Sequence, residues 1–252
     1  MTTRTVRTVS RWLALLPLLG LMGLAACVQA PLQSGEAGAE PACGSGLSPA
    51  DNTRLASIDQ LVKDGKPYAA LAQLDGLRMD QAAPVQLVRA DALRRIDRTQ
   101  DAMVLYSQLV NGCHGAQAHH GLGLLLAQQG RLAESITHLQ EARRQLPTDL
   151  RVRNDLGYAL LLSNRLDEAR FEFLTVLDLS AKDPRASRNL VLLALREGRM
   201  DQARELARSL GLDASTFERL QRQSDTRTDP PSPLSDNPSD AASTGVQQPA
   251  RP

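Results

Sequence analysis

The sequence predicts an all-α protein made of stacked antiparallel helix hairpins, and three observations lead there. Leu, Ala and Arg dominate the 252 residues while aromatics supply only 3%, a composition that suits helices better than sheets. Residues of matching type recur at an interval of 34: Gly123, Gly157 and Val191; Leu122, Leu156 and Leu190; Gly130, Asn164 and Gly198; Ser135, Ala169 and Ala203. One turn is also written three times, as "QQGRLAESI", "LSNRLDEAR" and "REGRMDQAR". A period of this length marks a supersecondary unit that buries its apolar face only by stacking on its neighbours.

Residues 1–26 have the layout of a secretory signal. Arg4, Arg7 and Arg11 precede an apolar run from Trp12 to Leu24 that has no acidic residue before it. A membrane-spanning helix would need about 20 apolar residues, more than this run holds. The run ends in "LAAC", which resembles the bacterial lipobox and so implies cleavage before Cys27 and acylation of that cysteine. Only a thiolate is nucleophilic enough to carry the thioether-linked diacylglycerol. Several acyl chains, at roughly 0.8 kcal/mol per buried CH2, make a firm anchor. Val28 stands where an Asp would favour retention at the inner membrane, so the expected address is the periplasmic face of the outer membrane.

Residues 27–50, rich in Gly, Ala, Pro and Ser, read as a flexible tether. Residues 51–115 read as two degenerate hairpins. "VKDGKPYAALAQL" carries Gly65 at its turn and Ala70 on its second helix, and "RRIDRTQDAMVLY" places Asp97, Ala102 and Tyr106 at the corresponding positions. Residues 116–223 hold the three best units, from Ala116, Leu150 and Pro184, followed by "DASTFERLQRQ", a capping helix with Asp213 as its N-cap. Residues 224–252 contain almost no large apolar side chain and are expected to be disordered. The 34-residue period, the small residue where two helices cross, the Gly or Asn turn and the second-helix alanine together resemble the tetratricopeptide repeat. That resemblance implies hairpins stacked into a right-handed superhelix with a concave groove lined by each unit's first helix.

Charge is balanced, with 29 basic against 28 acidic residues, which gives no reason to expect a nucleic-acid partner. No nucleophile elbow, phosphate loop, paired catalytic carboxylates or cofactor fingerprint is present, so neither an enzyme nor a cofactor is expected. "CHGAQAHH" gathers Cys113, His114, His119 and His120. His119 and His120 are adjacent and diverge on a helix, and His138 is expected to stand alone and solvated, so no metal site is expected. An oxidising compartment permits a Cys43–Cys113 disulfide, which would close a loop of about 70 residues and pin the tether to the helices. Groove positions include Arg151, Asn154, Tyr158, Arg185 and Arg188. Asn154 and Tyr158 lie one helical turn apart and are expected to face a peptide, with the arginines gripping its carboxylates.

The segment "RVRNDLGYALLLSNRLDEARFEFLTVLDLSAKDPRASRNLVLLALREGRMDQA", Arg151 to Ala203, resembles TadD, the tetratricopeptide-repeat lipoprotein family of the Tad (Flp) pilus assembly system. The resemblance implies a pilotin or assembly factor whose partner is an outer-membrane secretin or another pilus assembly lipoprotein. A type IV pilus pilotin is one alternative. An adaptor lipoprotein that recruits peptidoglycan hydrolases is another.

Overall fold

A computed structural model describes residues 46–77 and 81–225, and all regular structure among them is α-helical. The helices are α1 (Pro49–Lys63), α2 (Pro67–Asp75), α3 (Ala83–Arg95), α4 (Thr99–Leu109), α5 (Gly115–Gln128), α6 (Leu132–Gln145), α7 (Leu150–Leu162), α8 (Leu166–Leu179), α9 (Pro184–Arg196), α10 (Met200–Ser209) and α11 (Ala214–Asp225). They pair as five hairpins followed by α11. The second helix of each hairpin packs on the first helix of the next, α2 on α3, α4 on α5, α6 on α7 and α8 on α9. The signal sequence with Cys27, nearly all of the tether with Cys43, and the tail from residue 226 lie outside the described residues. α1 begins two residues before the expected boundary and α11 runs two residues past it.

Each hairpin turns on one residue in the left-handed region, namely Gly65, Asp97, Gly130, Asn164 and Gly198, with φ between 58 and 74°. The amide after each of these donates back to a carbonyl five residues earlier: Lys66 to Leu61, Arg98 to Leu93, Arg131 to Leu126, Arg165 to Leu160 and Arg199 to Ala194, at 2.8–3.0 Å. This is the Schellman closure, which satisfies the last carbonyls of the first helix and needs a residue that tolerates positive φ. Asp and Asn tolerate it best after Gly. The same arginines then open the second helices. Arg98, Arg131 and Arg165 each pair with a carboxylate three residues on, Asp101, Glu134 and Glu168, and such exposed pairs are worth about 0–1 kcal/mol. The first helices α1, α7 and α9 instead start on side-chain caps, which α3 and α5 lack. Ser48 accepts from the amide of Asp51, Asp149 from Arg151 and Val152, and Asp183 from Arg185 and Ala186.

The two degenerate units are genuine hairpins. Their turns fall 32 and 33 residues before the next one because their second helices are short, 9 residues in α2 and 11 in α4 against 14 in α6 and α8. The second-helix small residues Ala70, Ala102, Ser135, Ala169 and Ala203 are all fully buried. The Ser135 hydroxyl donates to the Gly123 carbonyl at 2.7 Å, across the crossing point.

The crossings are filled by complementary sizes. A Cβ on Gly123 would come within 2.6 Å of the Leu139 side chain, and one on Gly157 within 2.6 Å of the Phe173 ring. In the last hairpin the small partner changes sides: Val191 stands at the Gly157 position and Ala207 at the Phe173 position, both in the core. Gly157→Ala is therefore expected to destabilise by about 1–3 kcal/mol through overpacking, although alanine is the better helix former. Asn164→Gly, which relieves the left-handed cost, is expected to leave stability unchanged or raise it by up to about 1 kcal/mol. Urea unfolding of the two variants checks both signs.

Candidate protein-interaction surface

The first helices α5, α7 and α9 carry the expected groove positions, and the structure divides these into a closed floor and an open edge. Leu124, Ala127, Leu161, Leu192 and Leu195 are buried. Asn154 and Tyr158, expected to face a ligand, are also buried and hold intrachain partners. Asn154 Oδ1 accepts from Asn189 Nδ2 at 3.0 Å, and the Tyr158 hydroxyl accepts from Gln223 Nε2 of α11 at 3.2 Å. Burial raises the Tyr158 pKa above the usual phenol value. The clamp expected of these two residues is thus already occupied in this state.

The cause is the placement of α11. Asp213 caps it as expected, accepting from the Thr216 amide at 2.8 Å. The helix packs chiefly on α9, with Thr216 and Leu220 buried and Phe217 against the same core. Its contact with Tyr158 of α7 puts it on the face the first helices present.

The first helices are also tied to one another by a polar ladder. His120 Nε2 meets Asp155 Oδ2 at 2.6 Å, and Asn154 meets Asn189, each pair separated by 35 residues. The fifth position of one unit thus bonds the sixth of the next. On the second-helix side, Glu172 of α8 is 2% exposed and lies between Arg143 of α6 at 2.5 Å and Arg153 of α7 at 2.6 Å, joining two hairpins. Arg170 of α8 similarly pairs with Glu197 at the end of α9.

The open edge is basic. Gln117, Arg151 and Arg185 occupy the same position of consecutive units, and Gln117 and Arg151 are exposed while Arg185 is half-buried. Arg151 leans on Asp149 at 3.5 Å. Arg188 is half-buried, and burial together with the neighbouring Arg185 and Arg219 guanidiniums lowers its pKa, against the pull of Asp183. Arg219 itself donates to the Thr216 hydroxyl at 2.8 Å. Arg188 of α9 therefore sits close enough to Arg185 and to Arg219 of α11 to feel both charges, an arrangement that an anionic partner would relieve.

His138 does not stand alone. Its Nδ1 lies 2.8 Å from Nδ1 of His119 across the α5/α6 hairpin. Cys113, in the turn between α4 and α5, is disulfide-bonded. No group of three or more potential metal-ligating side chains is assembled among the described residues, and no described helix is long and apolar enough to cross a membrane.

Stacked hairpins, a small-residue crossing and a first-helix face with an open polar edge define a repeat scaffold for binding other proteins. The comparisons give the family. A tetratricopeptide repeat model matches residues 126–186. The TPR repeat-containing protein PA4299 of Pseudomonas aeruginosa is 36% identical over 172 residues, covering 68% of this chain and 69% of that protein. The chain belongs to the tetratricopeptide-repeat proteins, a family of generally non-catalytic interaction scaffolds. Among solved structures, a thermophilic TPR protein of Thermus thermophilus superposes with a TM-score of 0.56 at 19% identity, over 70% of this chain and 98% of that one. MamA from Desulfovibrio magneticus gives 0.51 at 18%, over 68% and 95%. These two show the fold alone.

Glu172→Ala is expected to cost about 1–3 kcal/mol, because it removes the buried carboxylate that Arg153 and the more exposed Arg143 share. Glu168→Ala, which removes an exposed pair, should cost no more than about 1 kcal/mol. Denaturant titration of the two variants tests the contrast.

Proposed function

We propose that this protein is an outer-membrane lipoprotein of the Tad (Flp) pilus machinery that acts as a pilotin or assembly factor for its secretin or for a partner lipoprotein. Three features support the reading. The "LAAC" sequence before Val28 supplies the lipid anchor and the address. The segment from Arg151 to Ala203 carries the resemblance to TadD. The observation that carries the binding role is the open basic edge of α7 and α9, where Arg151, Arg185 and Arg188 lie along neighbouring helices. In this reading the lipid holds the scaffold at the membrane, and residues 27–48 give it reach. The basic edge grips an acidic segment of the partner, since guanidinium forks pair strongly with carboxylates. A disulfide from Cys113 to Cys43 would shorten that reach by attaching the tether to the start of α5.

Cys27→Ser is expected to give a folded protein that leaves the membrane fraction and no longer supports secretin multimers or pilus output. Unchanged multimers and pili would overturn the pilotin role. The double charge reversal Arg151→Glu with Arg188→Glu is expected to weaken binding of the purified secretin's periplasmic segment at least tenfold while leaving the thermal midpoint in place. Equal binding by the reversed protein would remove the basic edge from the interface.

A further inference from the structure

We infer that His119 and His138 form a binding site for a divalent transition metal, Cu2+ foremost, that bridges the two helices of the α5/α6 hairpin. The two Nδ1 atoms approach to 2.8 Å, with ring centroids 5.1 Å apart and planes tilted by 36°. Two nitrogens each about 2.0–2.1 Å from one ion and at right angles around it lie about 2.9 Å apart. The backbone therefore already holds the two donors at the spacing of adjacent ligands in a tetragonal or octahedral site. As placed, the two nitrogens face each other in a hydrogen bond, so each ring has to turn by about 45° for both lone pairs to meet at one ion. The proton now on one Nδ1 would pass to the Nε2 of the same ring, the other ring already carrying its proton there, so two neutral imidazoles become ligands without net proton release.

Glu134 and Glu141 stand four residues before and three after His138 on α6, on one helical face. Each is held by an exposed arginine, Glu134 by Arg131 at 2.5 Å and Glu141 by Arg144 at 2.6 Å. Exposed pairs of this kind are weak, so Glu134 can swing toward the ion at small cost, whereas Glu141 is held by both Arg144 and Gln145. Two imidazoles, with water or an incoming carboxylate completing the shell, make an N,O donor set that suits tetragonal Cu2+ and, after it, Ni2+, and affinity in such sites peaks at Cu2+. The ion would bond α5 to α6 next to the Gly123–Ser135 crossing and so lock the hairpin against opening.

The test uses the tag-free full chain carrying Cys27→Ser, so that the thiol expected to bear the lipid does not compete. Titration with Cu2+ at neutral pH should show one tight equivalent, and electron paramagnetic resonance should show two equatorial imidazole nitrogens. His119→Gln and His138→Gln should each weaken binding at least tenfold and leave one nitrogen. His114→Gln, on the neighbouring turn, should change neither. Copper should also raise the thermal midpoint of the parent chain and not that of His138→Gln. Equal affinity in His138→Gln, or fewer than two nitrogens in the parent chain, overturns the site. If a histidine variant fails to fold, the parent chain decides the matter: two equatorial imidazole nitrogens uphold the site and fewer overturn it.

Discussion

The close approach of two helices within each hairpin is the constraint on which the rest depends. At Gly157 the absence of a side chain lets the Phe173 ring lie against the α7 backbone, and at Gly123 the same gap admits Leu139 and the Ser135 hydroxyl bond. Once that distance is set, the turn has only a few residues in which to reverse the chain. It must use a left-handed residue to do so, and the second helix is delivered at the angle that packs on the next unit. The inverted pair in the last hairpin, Val191 with Ala207, shows that the constraint is on combined volume and not on glycine itself.

Much of this was legible in the sequence because it repeats. The turn residues were readable even where glycine is replaced, since Asp97 and Asn164 are among the few side chains that tolerate positive φ. The upstream hairpins were harder to see because their second helices are shorter and break the 34-residue interval. The interaction surface was only half legible. Periodicity placed Asn154 and Tyr158 on the face of the first helices, where both are buried, but the ladder that occupies Asn154 steps by 35 residues, one off the repeat, so a search at the repeat interval passes over it. Nothing local in Asp213–Gln223 says that the helix will lie toward α7. Glu172 carried no periodic signal either, because its counterparts in the neighbouring units are His138 and Leu206.

The pairing of His119 with His138 was hidden for a different reason. His119 lies eleven residues before the turn at Gly130 and His138 eight after it, so an antiparallel hairpin folded about that turn brings them to one level. Reading each helix separately, by its own periodicity, loses that relation. The buried junctions follow a similar logic. Glu172 with its two arginines, and His120 with Asp155, each join a residue of one unit to a residue of another, and such contacts hold neighbouring units in register where the apolar core alone would tolerate sliding.

The position of α11 sets a threshold for whatever binds the first-helix face. It is joined to α10 by only Leu210–Asp213, so it competes for the surface around Tyr158 as an intramolecular ligand, at the millimolar effective concentrations typical of short connections. A segment that needs the same surface has to outbid a competitor that never diffuses away, and only sequences with a large margin of affinity will succeed. A segment that docks on the basic edge alone meets no such rival. One scaffold can in this way hold one class of contact readily and admit another only when the match is good.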